Sequence, residues 1–288
     1  MKCYLTLTAP ASDDDPYVDL LEVALKSARE NTTLDVHVLY DGPENCRTFR
    51  LMKQYGAKVI PHRFSHYVEV QRMFHTDFEG RPVDTRKVAG TFMRLDIPFL
   101  EKEEEYVLYV DMDVFFIRDV RAEDLPKPEY LAASSEFTRQ QNMKLYFNAG
   151  VLMMNVRNMR RRCKKIFSDL KKGKATPGFD QGYLNKYCLA DRTWLPVEYN
   201  WKPYWGVNPQ AAIIHYHGMK PGGTNENSGF GMSDEVTRRL MLENDNCLEG
   251  LLYYYKEFFH YLAPSHSEWI PWLESYLLKA QQLAEYEE

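Results

Sequence analysis

Apolar residues recur along this chain with two alternating periods. Lys2 to Thr8 and Leu34 to Tyr40 run apolar or alternate as strands do, and Lys58 to Ile60 is a shorter run of the same kind. Between the first two, Pro16 to Arg29 places Val18, Leu21, Leu25 and Ala28 at helical spacing, with acidic residues near its start and Arg29 near its end, as the helix dipole favours. A second helix is expected from about Cys46 to Tyr55, beyond the turn Asp41-Gly42-Pro43. Strand, helix, strand, helix, strand in that order predicts a parallel, doubly wound sheet.

Pro61 to Asp84 carries no clear period and mixes His62, His66 and His75 with aromatics. It reads as a long loop with at most short helical pieces, either a substrate-contacting element or a solvated excursion. Helix returns from Thr85 to Leu95, and Tyr106 to Val110 has the unbroken hydrophobicity of a strand buried on both faces. Leu131 to Ser135 and Phe147 to Val156 are expected as strands, Met159 to Gly173 as a basic helix, Phe179 to Leu189 as a short helix and Ala212 to His217 as a last buried strand. After about Ser233 the sequence turns acidic and aromatic. The last 56 residues hold four Lys or Arg against eleven Asp or Glu, so they carry −7 while the remainder carries +2. The chain therefore divides into an α/β domain over 1–232 and a helical extension over 233–288, expected as two helices broken near Pro264.

With 288 residues, 44% of them hydrophobic, one large core with a smaller appended unit is affordable. A net charge of −5 argues against a protein whose main task is binding nucleic-acid phosphates. Five scattered cysteines without a C-x-x-C pair fit a reduced, cytoplasmic setting. The N-terminus lacks the apolar segment of a signal peptide, and no run reaches membrane-spanning length. Arg157 to Lys174 bears nine Lys or Arg against one Asp. Such a helix is most often a solvated face; the other reading is a dock for an anionic acceptor, a membrane surface, or the acidic tail of this or another subunit.

Chemistry enters at Asp111-Met112-Asp113, directly after the Tyr106 to Val110 run. Two carboxylates one residue apart point the same way from an extended backbone, and together suit one hard divalent cation. Among 18 Asp a chance copy is expected, and Asp13-Asp14-Asp15 is one. It precedes the helix at Pro16, where capping or solvation explains it. Asp111 and Asp113 instead stand outside the carboxyl end of a central strand, where open α/β sheets bind ligands. His215 and His217 share a strand face, so either could present an imidazole there, while Gly218 permits close backbone approach and Lys220 suits a phosphate. Phe147-Asn148-Ala149-Gly150-Val151 places an amide and small residues at a strand start, which a tight turn would also explain. Asp180-Gln181 opens a helix, where capping alone would account for the Asp.

Thr91-Phe92-Met93-Arg94-Leu95, Val107 to Val114, Phe147 to Leu152, Asp180-Gln181-Gly182-Tyr183-Leu184-Asn185 and His215 to Pro221 together resemble glycosyltransferase family 8, the retaining GT-A enzymes that include glycogenin and bacterial lipooligosaccharide galactosyltransferases. The resemblance runs from Lys2 to about Pro221. It implies a GT-A fold, a Rossmann-like, mostly parallel central sheet flanked by helices, here followed by the C-terminal helical extension. It implies that Asp111, Asp113 and His215 bind Mn²⁺, or Mg²⁺ in its place, against the diphosphate of a UDP-sugar donor. Gly218 and Lys220 would contact the phosphates, and Thr8 and Ala9 fall in the nucleotide-contacting stretch. Arg94, Asn148, Ala149, Asp180 and Gln181 match positions around the donor sugar, with Gln181 near the anomeric carbon, and Glu136 falls about where the family has an Asp contacting the sugar.

Two departures stand out. The family's last motif has two residues between Gly and Lys and ends Pro-Trp, whereas here only Met219 intervenes and Gly222 follows Pro221. The stretch Thr8 to Asp13 matches the nucleotide-contacting segment poorly. The implied reaction moves a hexose or related sugar to a glycan, glycolipid or protein hydroxyl with retention. Gln181 is a poor nucleophile, which favours same-face attack with the departing diphosphate as base. The competing readings are a catalytically weak sugar-nucleotide or glycan-binding module and a sugar nucleotidyltransferase. The latter needs a Gly-rich basic loop after its first strand, and Thr8 to Asp15 has neither Gly nor Lys.

Overall fold

The computed structural model describes residues 1–10, 12–13, 15–76, 82–139, 144–221 and 234–262. In chain order the first half holds β1 (Lys2–Thr8), α1 (Pro16–Asn31), β2 (Asp35–Asp41), α2 (Arg47–Gln54), β3 (Lys58–Pro61), α3 (Tyr67–Met73), α4 (Thr85–Phe92), α5 (Ile97–Leu100), β4 (Tyr106–Val110) and β5 (Val114–Phe116). The second half adds β6 (Leu131–Ala133), β7 (Val151–Asn155), α6 (Val156–Lys171), α7 (Phe179–Cys188), β8 (Thr193–Trp194), β9 (Ile213–His215), α8 (Asp234–Glu243) and α9 (Cys247–Leu262). Several starts are written locally. Asp15 accepts from Tyr17 N ahead of Pro16 at the head of α1, Asp84 accepts from Arg86 N and Lys87 N at α4, and Asn155 caps α6. Asp13 accepts from Arg47 N at the head of α2, so both described carboxylates of the N-terminal copy serve helix starts; Asp14 lies outside the described residues.

A seven-stranded sheet has the order β3-β2-β1-β4-β7-β6-β8. The pairs β1–β2, β2–β3, β1–β4 and β6–β8 are parallel, as the alternating elements predict. Strand β7 is the antiparallel member of this mostly parallel sheet, lying between β4 and β6. The last buried strand is present as β9, which stands outside the main sheet and pairs antiparallel with β5 in a separate two-stranded sheet. The Phe147 to Val156 strand starts late. Ahead of it Phe147 makes an isolated antiparallel bridge with Ser135, and on its other edge the Asn185 side chain takes both the N–H and the carbonyl of Phe147, at 2.8 and 2.9 Å.

Both faces of the central sheet are apolar. On β4, Val107 and Tyr109 pack with Val88 and Phe92 of α4, Cys163 and Ile166 of α6 and Tyr183 of α7. Leu108 and Val110 face the other way, toward Leu21, Ala24 and Leu25 of α1. Each such Leu, Val or Phe removed from water contributes about 1.5–3 kcal/mol, which is why this strand tolerates no polar residue until it ends at Asp111. Phe64, Val70 and Phe74 are buried in the first cluster, so the Pro61 to Asp84 stretch is packed against the core through its described part rather than solvated. His62 bonds Asp96 at 2.8 Å and His66 lies 3.5 Å from Glu69.

A third cluster joins the small sheet to the extension. Phe115 and Ile214 meet Trp201, Trp205 and, from α9, Leu251, Tyr254 and Phe258. Among the described residues α8 and α9 are separated at Asn244 to Asn246. Pro264, the break expected from the sequence, lies outside the described residues. No described helix is long and apolar enough to cross a membrane, and all five cysteines are free thiols. On α6, Arg157, Arg161, Lys164 and Lys165 are exposed, whereas Arg160 donates to the Glu101 carbonyl at 2.7 Å and Arg162 lies 4.1 Å above the Tyr130 ring.

Candidate active site

The chain runs from β1 outward to β2 and β3, then returns to place β4 on the other side of β1. The crevice outside the carboxyl ends of β1 and β4 is therefore a topological switch point, where such sheets bind ligands. A cavity of about 340 Å³ opens there, lined by Thr6 and Thr8 from the end of β1, by Asp111 and Asp113, and by Asp180 and Lys220.

Asp111-Met112-Asp113 is a turn between β4 and β5 rather than a continuation of extended strand. The two carboxylates converge because the chain crosses there from one sheet to the other. Asp111 N donates to Gly150 O at 2.7 Å on the main-sheet side, and Tyr216 N donates to Asp113 O at 2.9 Å on the small-sheet side. The pairing of β9 with β5 brings His215 opposite Val114 and so beside both carboxylates. His215 Nε2 lies 3.8 Å from Asp111 Oδ2 and 3.4 Å from Asp113 Oδ1, and ligand atoms of all three residues fall within 4.8 Å of one another.

The donor set fits a divalent cation. Buried Asn200 sits with its Oδ1 2.9 Å from His215 Nδ1, so the ring proton belongs there and the Nε2 lone pair faces the carboxylates. Burial pulls the His215 pKa down against the pull of Asp113, which keeps the imidazole neutral as a ligand must be. The other carboxylate oxygens are already engaged. Asp111 Oδ1 accepts from Tyr109 Oη at 2.5 Å and lies 2.9 Å from Arg94 Nη2, while Asp113 Oδ2 accepts from Lys220. Burial alone would raise the Asp113 pKa, but the Lys220 ammonium holds it far below the usual range.

Arg94 links this cluster to the next. Its guanidinium is buried, lies 4.5 Å from the Tyr109 ring centre and sits 2.9 Å from Asp180 Oδ2. Burial disfavours its charge, yet Asp111 and Asp180 together keep it protonated. Asp180 Oδ1 also accepts from Thr91 at 2.6 Å, and burial, opposed by Arg94, raises its pKa. Phe179, immediately before it, has φ 51°, alone in the left-handed region among the described non-glycine residues. That costs on the order of 1 kcal/mol, and it tips Asp180 and Gln181 toward the crevice at the first turn of α7.

Gln181 is held at both ends of its amide. Its Oε1 accepts from Ala149 N at 2.7 Å and its Nε2 donates to Glu136 Oε2 at 3.0 Å. The same Glu136 oxygen accepts from Asn148 Nδ2 at 3.0 Å, and its other oxygen is 3.0 Å from His217 Nε2. Burial pushes the Glu136 pKa up, but His217 and Lys202 outweigh it and bring it to about 2. Asn148 Oδ1 in turn accepts from Asn200 Nδ2 at 3.0 Å, joining this network to the His215 side.

The family model for glycosyl transferase family 8 matches residues 11–224, well over half of the chain. The chain belongs to glycosyltransferase family 8. It is a glycosyltransferase, and its fold is shared with solved members of that class. A structure of the galactosyltransferase LgtC in complex with donor and acceptor sugar analogues aligns at 18% identity over 93% of this chain and 99% of that one, with a TM-score of 0.63. The glycosyltransferase GlyE of Streptococcus pneumoniae TIGR4 aligns at 19% identity over 97% and 64%, with a TM-score of 0.57. Mouse xyloside xylosyltransferase 1 in its apo form aligns at 15% identity over 74% and 96%, with a TM-score of 0.52. No curated protein matches the chain.

Within this family 8 chain, Asp111, Asp113, His215, Lys220, Arg94 and Asp180 come together around one crevice, and Thr8 lines it. Asn148, Ala149, Gln181 and Glu136 form the adjoining network. The shortened last motif still delivers Lys220, because Gly218, with φ 73°, turns the chain back within one residue. Ala9 is buried against Gly42, where an added Cβ would come within 2.4 Å of it. His217 serves Glu136 rather than the carboxylate pair. Sequence reasoning missed Asn200, Lys202 and Tyr204. They stand in or beside short 3-10 turns without periodicity, and the only signal was a run of polar and aromatic residues ahead of β9.

Proposed function

We propose that this glycosyltransferase moves a hexose or related sugar from a UDP-sugar to an acceptor hydroxyl with retention of configuration, using Mn²⁺ or Mg²⁺ held by Asp111, Asp113 and His215. The observation that carries this reading is the convergence of two carboxylate oxygens and one free imidazole nitrogen on a crevice that also holds Lys220. What the bound cation supplies is neutralisation of the charge that builds on the departing diphosphate. Lys220 adds a second positive charge on that side, and Arg94 pairs with both Asp111 and Asp180, holding the two carboxylates in place. Asp180 and Gln181 orient the sugar from the head of α7.

Gln181 Oε1 is already occupied by the Ala149 N–H, and an amide is a poor nucleophile, so the acceptor oxygen attacks the face the diphosphate leaves. The anomeric carbon to phosphate-oxygen bond breaks, the bond to the acceptor oxygen forms, and a departing phosphate oxygen takes the acceptor proton. Glycan, glycolipid and protein hydroxyls all suit this chemistry. The exposed cations of α6 favour an anionic acceptor or surface, and the five unpaired cysteines favour a cytosolic site of action.

Purified Asp111→Asn and Asp113→Asn should lose metal-dependent UDP release from a panel of UDP-sugars by on the order of a hundredfold or more, with unchanged circular dichroism. Undiminished turnover in either variant would overturn the metal assignment. Release that never exceeds background in the wild type, with any acceptor, would leave only sugar-nucleotide binding.

A further inference from the structure

The carbonyls of Ser135, Glu136 and Phe137 are each taken by a side chain from one short segment. Lys202 Nζ donates to Ser135 O at 3.0 Å, Tyr204 Oη to Glu136 O at 3.4 Å, and Trp205 Nε1 to Phe137 O at 3.0 Å. All three donors are buried, Lys202 completely. Residues 136–139 lie outside regular secondary structure; backbone pairing reaches the loop through Glu136 N, which donates to Tyr146 O at 3.0 Å, and the three side chains hold its carbonyls. We propose that Lys202, Tyr204 and Trp205 form a clamp that positions Glu136, and through it the Gln181 amide, for the transfer step, with Lys202 as its principal positioning residue. The inference rests on the reading of Gln181 given above.

A fully buried ammonium is costly, and a methionine would fill the same space without that penalty. Burial pulls the Lys202 pKa down to about 7, with Glu136 pulling the other way. The ammonium lies 4.5 Å from the Trp205 ring centre, which binds two arms of the clamp to each other. Tyr204 Oη is also 3.0 Å from His217 Nδ1, so a second path from the same segment reaches the Glu136 carboxylate. The segment itself is backed by α9, where a Cβ added at Gly250 would come within 2.1 Å of Pro203 O. The positioning chain thus runs from the C-terminal helices through 202–205 to Glu136, Gln181 and the Ala149 N–H.

Full-length Lys202→Met, with Trp205→Phe as a second variant should the first fail to fold, is compared with wild type in two measurements. The Ala149 amide, held by Gln181 Oε1, should exchange its hydrogen about tenfold faster or more once the amide is released. The kcat for UDP-sugar turnover should fall by about ten- to a hundredfold, with KM for the donor within about twofold, since a misplaced reacting group affects the step rather than diphosphate binding. Wild-type exchange at Ala149 in a folded variant overturns the clamp, as does a KM that rises in step with the loss of kcat. Faster exchange at Ala149 in a chain whose wild type turns over no UDP-sugar would uphold the clamp and remove the proposed function instead.

Discussion

Gly150 carries more of the site than its position in a small-residue run suggests. A Cβ added there would lie 2.1 Å from His215 Cε1, so the imidazole occupies the space that any other residue would fill. The sequence makes Gly150 a turn candidate, and it gives no sign that the ring packed on it comes from a strand sixty-odd positions later. Gly150→Ala should therefore push His215 off the carboxylate pair while sparing the strand behind it. Calorimetric titration of the variant with Mn²⁺ in the presence of UDP should show affinity weaker by about ten- to a hundredfold, the usual effect of misorienting a ligand. Affinity equal to wild type would mean that His215 is no ligand. At Asp13 and Asp15 the same residue type at the same spacing serves helix starts, and among the described residues no third metal-ligating side chain is brought to it.

At the scale of elements, the two strands that frame the crevice are tied at their far ends by Glu101, in the turn before β4. Its carboxylate accepts from Lys102 N, Glu103 N and Glu104 N at 2.8, 2.6 and 3.1 Å and from Tyr4 Oη of β1 at 2.7 Å, with Lys2 Nζ 3.2 Å away. Burial would raise its pKa, but the Tyr4 and backbone donors prevail and take it from 4.5 to about 2. A carboxylate whose pKa is lower in the folded state contributes stability that is complete above 4.5 and is lost as pH falls through about 2. Glu101→Gln should thus destabilise the protein by about 2–3 kcal/mol at neutral pH, in urea unfolding, with the gap from wild type closing as the pH drops below that range. A gap that stays constant with pH would show that the lost hydrogen bonds, not the charge, matter there. The elements themselves were legible wherever one period ran unbroken, as in α1, β2 and β4. Phe147 to Val156 is not one continuous strand: Phe147 keeps an isolated bridge to Ser135, and Asn148 to Gly150 break the run before β7, an interruption that periodicity cannot show.

For the whole molecule, the cation and the nucleotide are expected to share one crevice, so each should strengthen the other's binding by the same factor. Saturating Mn²⁺ with UDP at about a hundred times its dissociation constant should stabilise the fold by about 2.7 kcal/mol, read as a rise in melting temperature that exceeds the sum of the two separate rises. Strictly additive rises would mean separate sites. The sequence by itself determined the α/β class, the central buried strand that stops at Asp111, the family and the residue types of the site, because hydrophobic period and motif order are local properties. Only the tertiary structure decided that β9 leaves the main sheet to pair with β5, and that pairing is what carries His215 to Asp111 and Asp113. It also decided which polar groups are buried, Asn200 behind His215 and Lys202 behind Glu136, since desolvation depends on what other segments cover a residue and not on its neighbours in the chain.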